Sequence, residues 1–300
     1  MRASLGRVSR IVNRGVCAGA YLCTPPDAEF LDFTLLWAKF RAMPDRTVRL
    51  VLQYDGTRFA GWQRQPDART VQGELERVVE RLFNAPTAVT GAGRTDSGVH
   101  ARGQAAHVTV ADRWETPRLR RALNSLVPPD IWVAEAADAP PGFHARFSAT
   151  ARRYTYYVGT DDASASPFRR PYEWAVRDPL DRVALDAAAG ALLGEHRFYG
   201  FAVRGTAPPG DEHRCTITVA TWRERSGGLE FVIEANRFLH HMVRFLVGTM
   251  VDVASGRRSL ASFAALLDAD DNRAVSPPAP AHGLFLDHVT YPLQPHLERP

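Results

Sequence analysis

Apolar residues at every second position mark the first patterned stretch of the chain. Val48, Leu50 and Leu52 alternate ahead of Asp55-Gly56, as in a half-buried strand closed by a turn. The period then changes. Val71, Leu75, Val78, Val79, Leu82 and Phe83 fall at helical spacing behind Thr70, whose hydroxyl suits an N-cap, and residues 84–86 end the run. Strands over 88–90 and 104–110 flank a glycine-rich stretch. Thr116 as cap and Pro117 at the first helical position open a second helix, with Leu119, Leu123 and Leu126 on one face. Pro128-Pro129 stops it, and 131–134 returns as a strand. The second half repeats the theme. It has a strand over 153–158, and a helix opened by Asp178-Pro179 that carries Leu180, Val183, Ala184, Ala187, Ala191 and Leu192. Strands over 216–222 and 229–235 follow, joined by Ser226-Gly227-Gly228, and then a helix over 238–254.

Strands and helices thus mix in two halves of similar size, which predicts an α+β fold with mainly antiparallel strands. Three segments follow: an N-terminal extension over 1–42, an N-terminal α+β domain over 43–142 that holds the glycine-rich stretch, and a C-terminal α+β domain over 143–300. The extension differs from the rest. Arg2, Arg7, Arg10 and Arg14 precede its first acid, Asp27. A disordered extension, a translated region ahead of a start at Met43, and an Arg-rich presequence all fit that pattern.

Charge changes the picture less than the isoelectric point of about 9.2 suggests. Of 37 basic and 33 acidic residues, 1–42 holds six and three, which leaves 31 against 30. Bulk charge therefore does not argue for nucleic acid; only local arginine clusters such as Arg152-Arg153 can. Lys39 is the only lysine. Three cysteines without a CxxC argue against a disulfide framework and a zinc site, and for a reducing compartment, the cytoplasm. The most apolar run, 238–253, carries His240, His241, Arg244 and Asp252, and so reads as a buried helix rather than a membrane span.

The chemistry concentrates in residues 91–107, GAGRTDSGVHARGQAAH. Gly91-x-Gly93 begins like a dinucleotide fingerprint, but Asp96 stands where the third glycine belongs, and no GK[ST] follows. What remains is one carboxylate on a glycine-rich loop between strands. A tight hairpin with a turn aspartate explains that, and so does a reactive carboxylate on a backbone that a ligand can approach closely. The helix over 238–254 is apolar on most sides, with a narrow polar stripe of Arg237, His240, His241, Arg244 and Gly248. An arginine in so apolar a helix calls for a buried acidic partner. Tyr154 reads as an ordinary strand tyrosine that shares a face with Tyr156, while Tyr157 lies opposite.

Five blocks, in order, carry a resemblance: Tyr54-Asp55-Gly56 with Gly61-Trp62-Gln63-Arg64-Gln65, then 93–101 (GRTDSGVHA), 143–154 (FHARFSATARRY), 236–244 (NRFLHHMVR) and 283–286 (GLFL). Together, from about Val48 to Pro292, they resemble the tRNA pseudouridine synthase A family. That resemblance implies one mixed sheet of the pseudouridine-synthase type. It implies isomerisation of uridine to pseudouridine at positions 38, 39 and 40 of the tRNA anticodon stem-loop. No metal or organic cofactor would take part, and the chain would work as a homodimer off the membrane. It makes Asp96 the catalytic carboxylate, acting at C6 of uracil or at the ribose. It sets Arg244 against Asp96, Tyr154 on the uracil, Leu284 in the uracil pocket, and Arg94 on the flipped base. Arg64, Arg152 and Arg153 would contact the RNA backbone. The sequence departs from the family pattern at 197–201 (RFYGF), a difference that bears on substrate range rather than on chemistry.

Overall fold

The computed structural model describes residues 45–207 and 213–292. The expectations for 1–42 lie outside them. The first strand, β1 (Asp45–Tyr54), buries Val48, Leu50, Leu52 and Tyr54, so the alternation read from the sequence is its core face. Helix α1 (Val71–Phe83) starts where Thr70 Oγ1 accepts the Gly73 N–H at 3.2 Å, and it buries Val71, Leu75, Val78 and Val79. Strands β2 (Val89–Gly91) and β3 (His100–Ala111) bracket the glycine-rich loop. Helix α2 (Thr116–Leu126), strand β4 (Ile131–Asp138) and strand β5 (Ala151–Gly159) follow. The short β6 (Trp174–Ala175), helix α3 (Arg182–Gly190) and short β7 (Gly194–His196) lead into the hairpin of β8 (Cys215–Arg225) and β9 (Gly228–Ala235). Helices α4 (Met242–Ala254) and α5 (Leu260–Ala265) and strand β10 (Leu284–Thr290) complete the order.

All ten strands join one sheet, in the order β4-β1-β3-β10-β5-β9-β8-β7, with β2 on β3 and β6 on β5. Pairing is antiparallel except for β10 with β3 and β6 with β5. The α+β reading with a mixed, mainly antiparallel sheet therefore holds. Its closing element is β10, which the alternation pattern does not reveal. Only Phe285 and Leu286 pair with β3, while residues 284–290 pair along β5. That one strand joins the sheet of the first half to the sheet of the second.

Three helix starts differ from expectation. Helix α2 begins at Thr116 behind Glu115, without a side-chain cap, because Thr116 Oγ1 donates instead to Asp138 at 2.5 Å. Helix α3 begins at Arg182 rather than after Asp178-Pro179, since Asp181 supplies the cap: its Oδ1 accepts the N–H groups of Val183 (2.8 Å) and Ala184 (3.2 Å). Helix α4 begins at Met242, not 238, because His241 adopts a left-handed backbone (φ 61°) and breaks the helical wheel.

Buried imidazoles set an acid limit on this fold. His100 stacks on Phe285 (4.6 Å between centroids); its Nδ1 accepts the Gly56 N–H at 3.1 Å and its Nε2 lies 3.2 Å from the Pro171 carbonyl. A neutral ring with its proton on Nε2 satisfies both contacts. Burial lowers the pKa of His100 from its ordinary 6.5, and does the same for His107, His241 and His282. In each case the unfolded chain binds the proton more readily than the folded one. Their contribution to stability is thus complete above the unfolded value and is lost as pH falls through the window below 6.5. We expect the melting temperature to drop between pH 7 and 5, above the range where carboxylates titrate (about 4). Calorimetry across that range tests this, and a flat profile would refute it.

Candidate active site

The loop between β2 and β3 is held from several sides. Gln104, fully buried in β3, donates to the Gly93 carbonyl at 2.9 Å, and Tyr54 OH shares a 2.7 Å hydrogen bond with Thr95 Oγ1. The Trp62 N–H donates to the Thr95 carbonyl at 3.0 Å, and the Val99 N–H closes a turn onto the Asp96 carbonyl at 3.2 Å. Gly98 completes that turn at φ +78°, where an L side chain is strained. Gly93 is different. A Cβ there would meet no protein atom within 4 Å, so the fold leaves its outer side open. Asp96 stands at the head of this braced loop with its side chain 17% exposed.

Opposite it comes the first turn of α4. Arg244, 15% exposed, donates through Nη1 to Asp96 Oδ2 at 3.3 Å. Its Nε donates to the Ala279 carbonyl at 2.8 Å, and the Ala279 N–H returns a bond to the Arg244 carbonyl at 2.9 Å. Residues 277–279 can lie so close because α4 carries Gly248 at the crossing; a Cβ there would fall 2.2 Å from the Pro277 carbonyl oxygen. The glycine of the polar stripe thus serves the arginine, by admitting the carbonyl that orients it. The buried acid that the sequence called for is Asp96.

The two histidines of that stripe reach the same carboxylate by another route. His241 Nε2 lies 3.5 Å from Asp96 Oδ2 and His240 Nε2 lies 3.8 Å from Oδ1, with the two rings 4.2 Å apart. No helical wheel puts adjacent residues on one acid; the left-handed turn at His241 does. Burial, with Arg244 and His240 adding to it, pushes the His241 pKa below its ordinary value against the pull of Asp96. Among the described residues, Asp96, His240 and His241 offer three donor atoms within 4.8 Å of one another, the size of a metal site. The guanidinium already on Asp96 opposes that use, since a divalent ion there would sit beside a fixed positive charge.

Tyr154 and Leu284 come from the sheet. Tyr154 in β5 pairs with Leu286, and Tyr156 pairs with Leu284, so all four side chains face one side. Tyr154 is 8% exposed and meets Phe238 edge-on at 5.2 Å. Burial, then Tyr54 and Asp96, push its phenol above the ordinary value, while Arg152 opposes them. The Asp96 charge is therefore felt at the Tyr154 hydroxyl. Leu284 is buried at the start of β10.

The arginines fall into different places. Arg94 is exposed on the Asp96 loop and, among the described residues, has no ion-pair or hydrogen-bond partner. Arg64 is 69% exposed and pairs with Glu76 at 3.2 Å. Arg153 points to the sheet face opposite Tyr154 and pairs with Glu234 at 2.8 Å. Arg152 shares the face of Tyr154, but its guanidinium is taken up by backbone carbonyls. The structure thus gathers Arg244, His240 and His241 around Asp96, with Tyr154 near enough to feel its charge, and Arg64 and Arg153 pair with glutamates instead.

Comparison with known proteins points the same way. The profile of the tRNA pseudouridine synthase family matches residues 50–148 and 188–292. The tRNA pseudouridine synthase A of Halalkalibacterium halodurans is 46% identical over 241 residues, 80% of this chain and 90% of its own. That of Chlorobaculum tepidum is 43% identical over 252 residues, 83% of this chain and 100% of its own. That of Frankia casuarinae is 44% identical over 255 residues, 83% and 91%.

Proposed function

This chain belongs to the tRNA pseudouridine synthase family, and from that premise we infer that it isomerises uridine to pseudouridine at positions 38, 39 and 40 of the tRNA anticodon stem-loop. The observation that carries the reading is the Asp96–Arg244 pair, a shielded carboxylate 3.3 Å from a guanidinium at the mouth of a glycine-rich loop.

The reaction breaks the N1–C1′ glycosidic bond, turns the uracil and forms a C5–C1′ bond; C5 gives up its proton and N1 takes one up. Nothing is added or lost overall. It needs an ionised carboxylate beside the base, and an ionised carboxylate out of water needs a counter-charge. Arg244 supplies it, oriented by the Ala279 carbonyl. Asp96 is the group we assign to covalent or electrostatic attack, at C6 of uracil or at the ribose carbon. Both routes use the same ionised oxygen.

Tyr154 has a phenol that stays protonated at neutral pH, so stacking on the uracil and donating a hydrogen bond suit it better than acting as a phenolate base. Leu284 lies on the same sheet face and serves as an apolar wall for the base. The target nucleotide must leave its stack, at a cost of a few kcal/mol. Arg94, exposed and unpaired on the Asp96 loop, is the cation we assign to holding it out. The open side of Gly93 leaves room for the RNA backbone to approach. Assembly as a homodimer and residence in the cytoplasm with the tRNA belong to the same reading. No helix among the described residues is long and apolar enough to cross a membrane.

The test uses unmodified tRNA transcripts carrying tritium at uridine C5. Release of tritium with pseudouridine mapped to positions 38–40 is the expected result. Release from other sites would keep the chemistry and overturn the substrate. A second measurement bears on the three-donor cluster. Activity should survive dialysis against EDTA unchanged, because Arg244 already neutralises Asp96. Loss in EDTA with recovery on adding zinc would instead assign a metal to Asp96, His240 and His241.

A further inference from the structure

One guanidinium touches three separate segments next to the site. Arg152 Nη2 donates to the Ala92 carbonyl (3.1 Å) and to the Arg146 carbonyl (2.8 Å). Its Nη1 donates to the Ala149 carbonyl (3.1 Å) and to the Asn236 carbonyl (2.8 Å). Ala92 opens the loop that carries Asp96, and Asn236 opens the turn that carries His240, His241 and Arg244. Tyr154 is two residues on along the same strand face. The 146–149 carbonyls belong to a loop that is itself pinned at Ala145, whose N–H donates to His107 Nδ1 (3.1 Å) and whose carbonyl accepts from Tyr291 OH (2.7 Å).

We propose that Arg152 is a positioning residue for the isomerisation: its fork ties the Asp96 loop, the 146–149 loop and the turn before Arg244 to the strand that presents Tyr154. A phosphate contact is the alternative use of this arginine. Such a contact needs free N–H groups, and both Nη atoms already end on backbone oxygens, two each, which leaves only Nε. The side chain must be arginine for a geometric reason. A planar fork spreads its donors over carbonyls on several sides, whereas a lysine ammonium is a point charge that reaches fewer of them at once. The inference rests on Asp96 as the reactive carboxylate.

The experiment compares wild type, Arg152→Lys and Arg152→Gln in three measurements. These are single-turnover tritium release at saturating enzyme, the salt dependence of tRNA binding, and amide hydrogen exchange over 91–98 and 236–241. With Arg152→Lys we expect the rate to fall about 100-fold, the scale of a small misplacement of reacting groups. Its tRNA affinity should stay within about two-fold of wild type with the same salt slope, because the charge is kept. Exchange should quicken in both segments while β1 stays protected, which a general loss of stability would not produce. A wild-type rate and wild-type exchange in Arg152→Lys would overturn the proposal. So would an Arg152→Gln variant whose saturated rate is unchanged while its salt slope drops by about one phosphate. If wild-type protein releases no tritium, the functional reading fails, and the exchange pattern alone then decides whether Arg152 ties these segments.

Discussion

Replacing Asp96 with Asn is expected to abolish tritium release, lowering the single-turnover rate by at least about 10⁴-fold, the scale seen when a group that acts at the reacting atoms is removed. Asparagine keeps the size of the side chain and one acceptor for Arg244. It loses the negative charge on which either proposed role of Asp96 depends. Binding should not weaken in parallel. If the polyanionic tRNA docks beside Asp96 as proposed, removing that negative charge leaves tRNA affinity equal or higher. The loop should keep its shape, because its braces come from Tyr54, Trp62 and Gln104 rather than from the Asp96 side chain. The variant therefore separates chemistry from folding and from binding. A residual rate within about ten-fold of wild type would remove Asp96 from the reaction, since a tenfold loss is only about 1.4 kcal/mol of barrier.

Arg244→Met should be the next most damaging change. It removes the counter-charge and leaves a carboxylate that is 17% exposed without its guanidinium. Breaking a shielded pair in this way costs roughly 3–5 kcal/mol, which on the barrier is a rate loss of about 10²–10⁴. His241 does not replace it, because burial lowers its pKa and favours the neutral ring. Arg244→Lys restores a charge, but it cannot both donate to Ala279 and reach Asp96 in the present geometry, so an intermediate rate is expected. The double variant gives the sharper result. If Arg244 acts through Asp96, Asp96→Asn combined with Arg244→Met is no slower than Asp96→Asn alone. Two full and additive losses would show that Arg244 acts on the substrate directly.

Much of this architecture is legible in one dimension. The period-2 run through Val48, Leu50 and Leu52 and the 3.6-period run from Val71 to Phe83 each report a local rule, and each became the element expected. The need of Arg244 for an acid was legible too, because an arginine in an apolar helix has to be neutralised. Asp96 was legible as a carboxylate on a glycine-rich loop, although composition and spacing alone allow a turn aspartate there just as well. The five ordered blocks favour the reactive carboxylate by resemblance, and with it the chemistry they imply.

Other features have no local signature. The strand β10 looks unremarkable in sequence, yet it pairs with both β3 and β5 and closes the sheet. The helical pattern over 238–254 starts four residues before the helix does, because the left-handed residue that breaks it is a histidine rather than a glycine or proline. That same break brings two adjacent imidazoles to one carboxylate. Arg152 shows the limit most plainly. In sequence it is a basic residue beside another, which suits phosphate; in the fold its four acceptors come from residues 92, 146, 149 and 236. Hydrophobic period, caps and motifs depend on neighbours a few residues apart, so the sequence determined most of the elements and the family, and singled out the carboxylate proposed to react. Which backbone oxygens surround a guanidinium depends on segments up to 84 residues away, and only the packed chain brings these together.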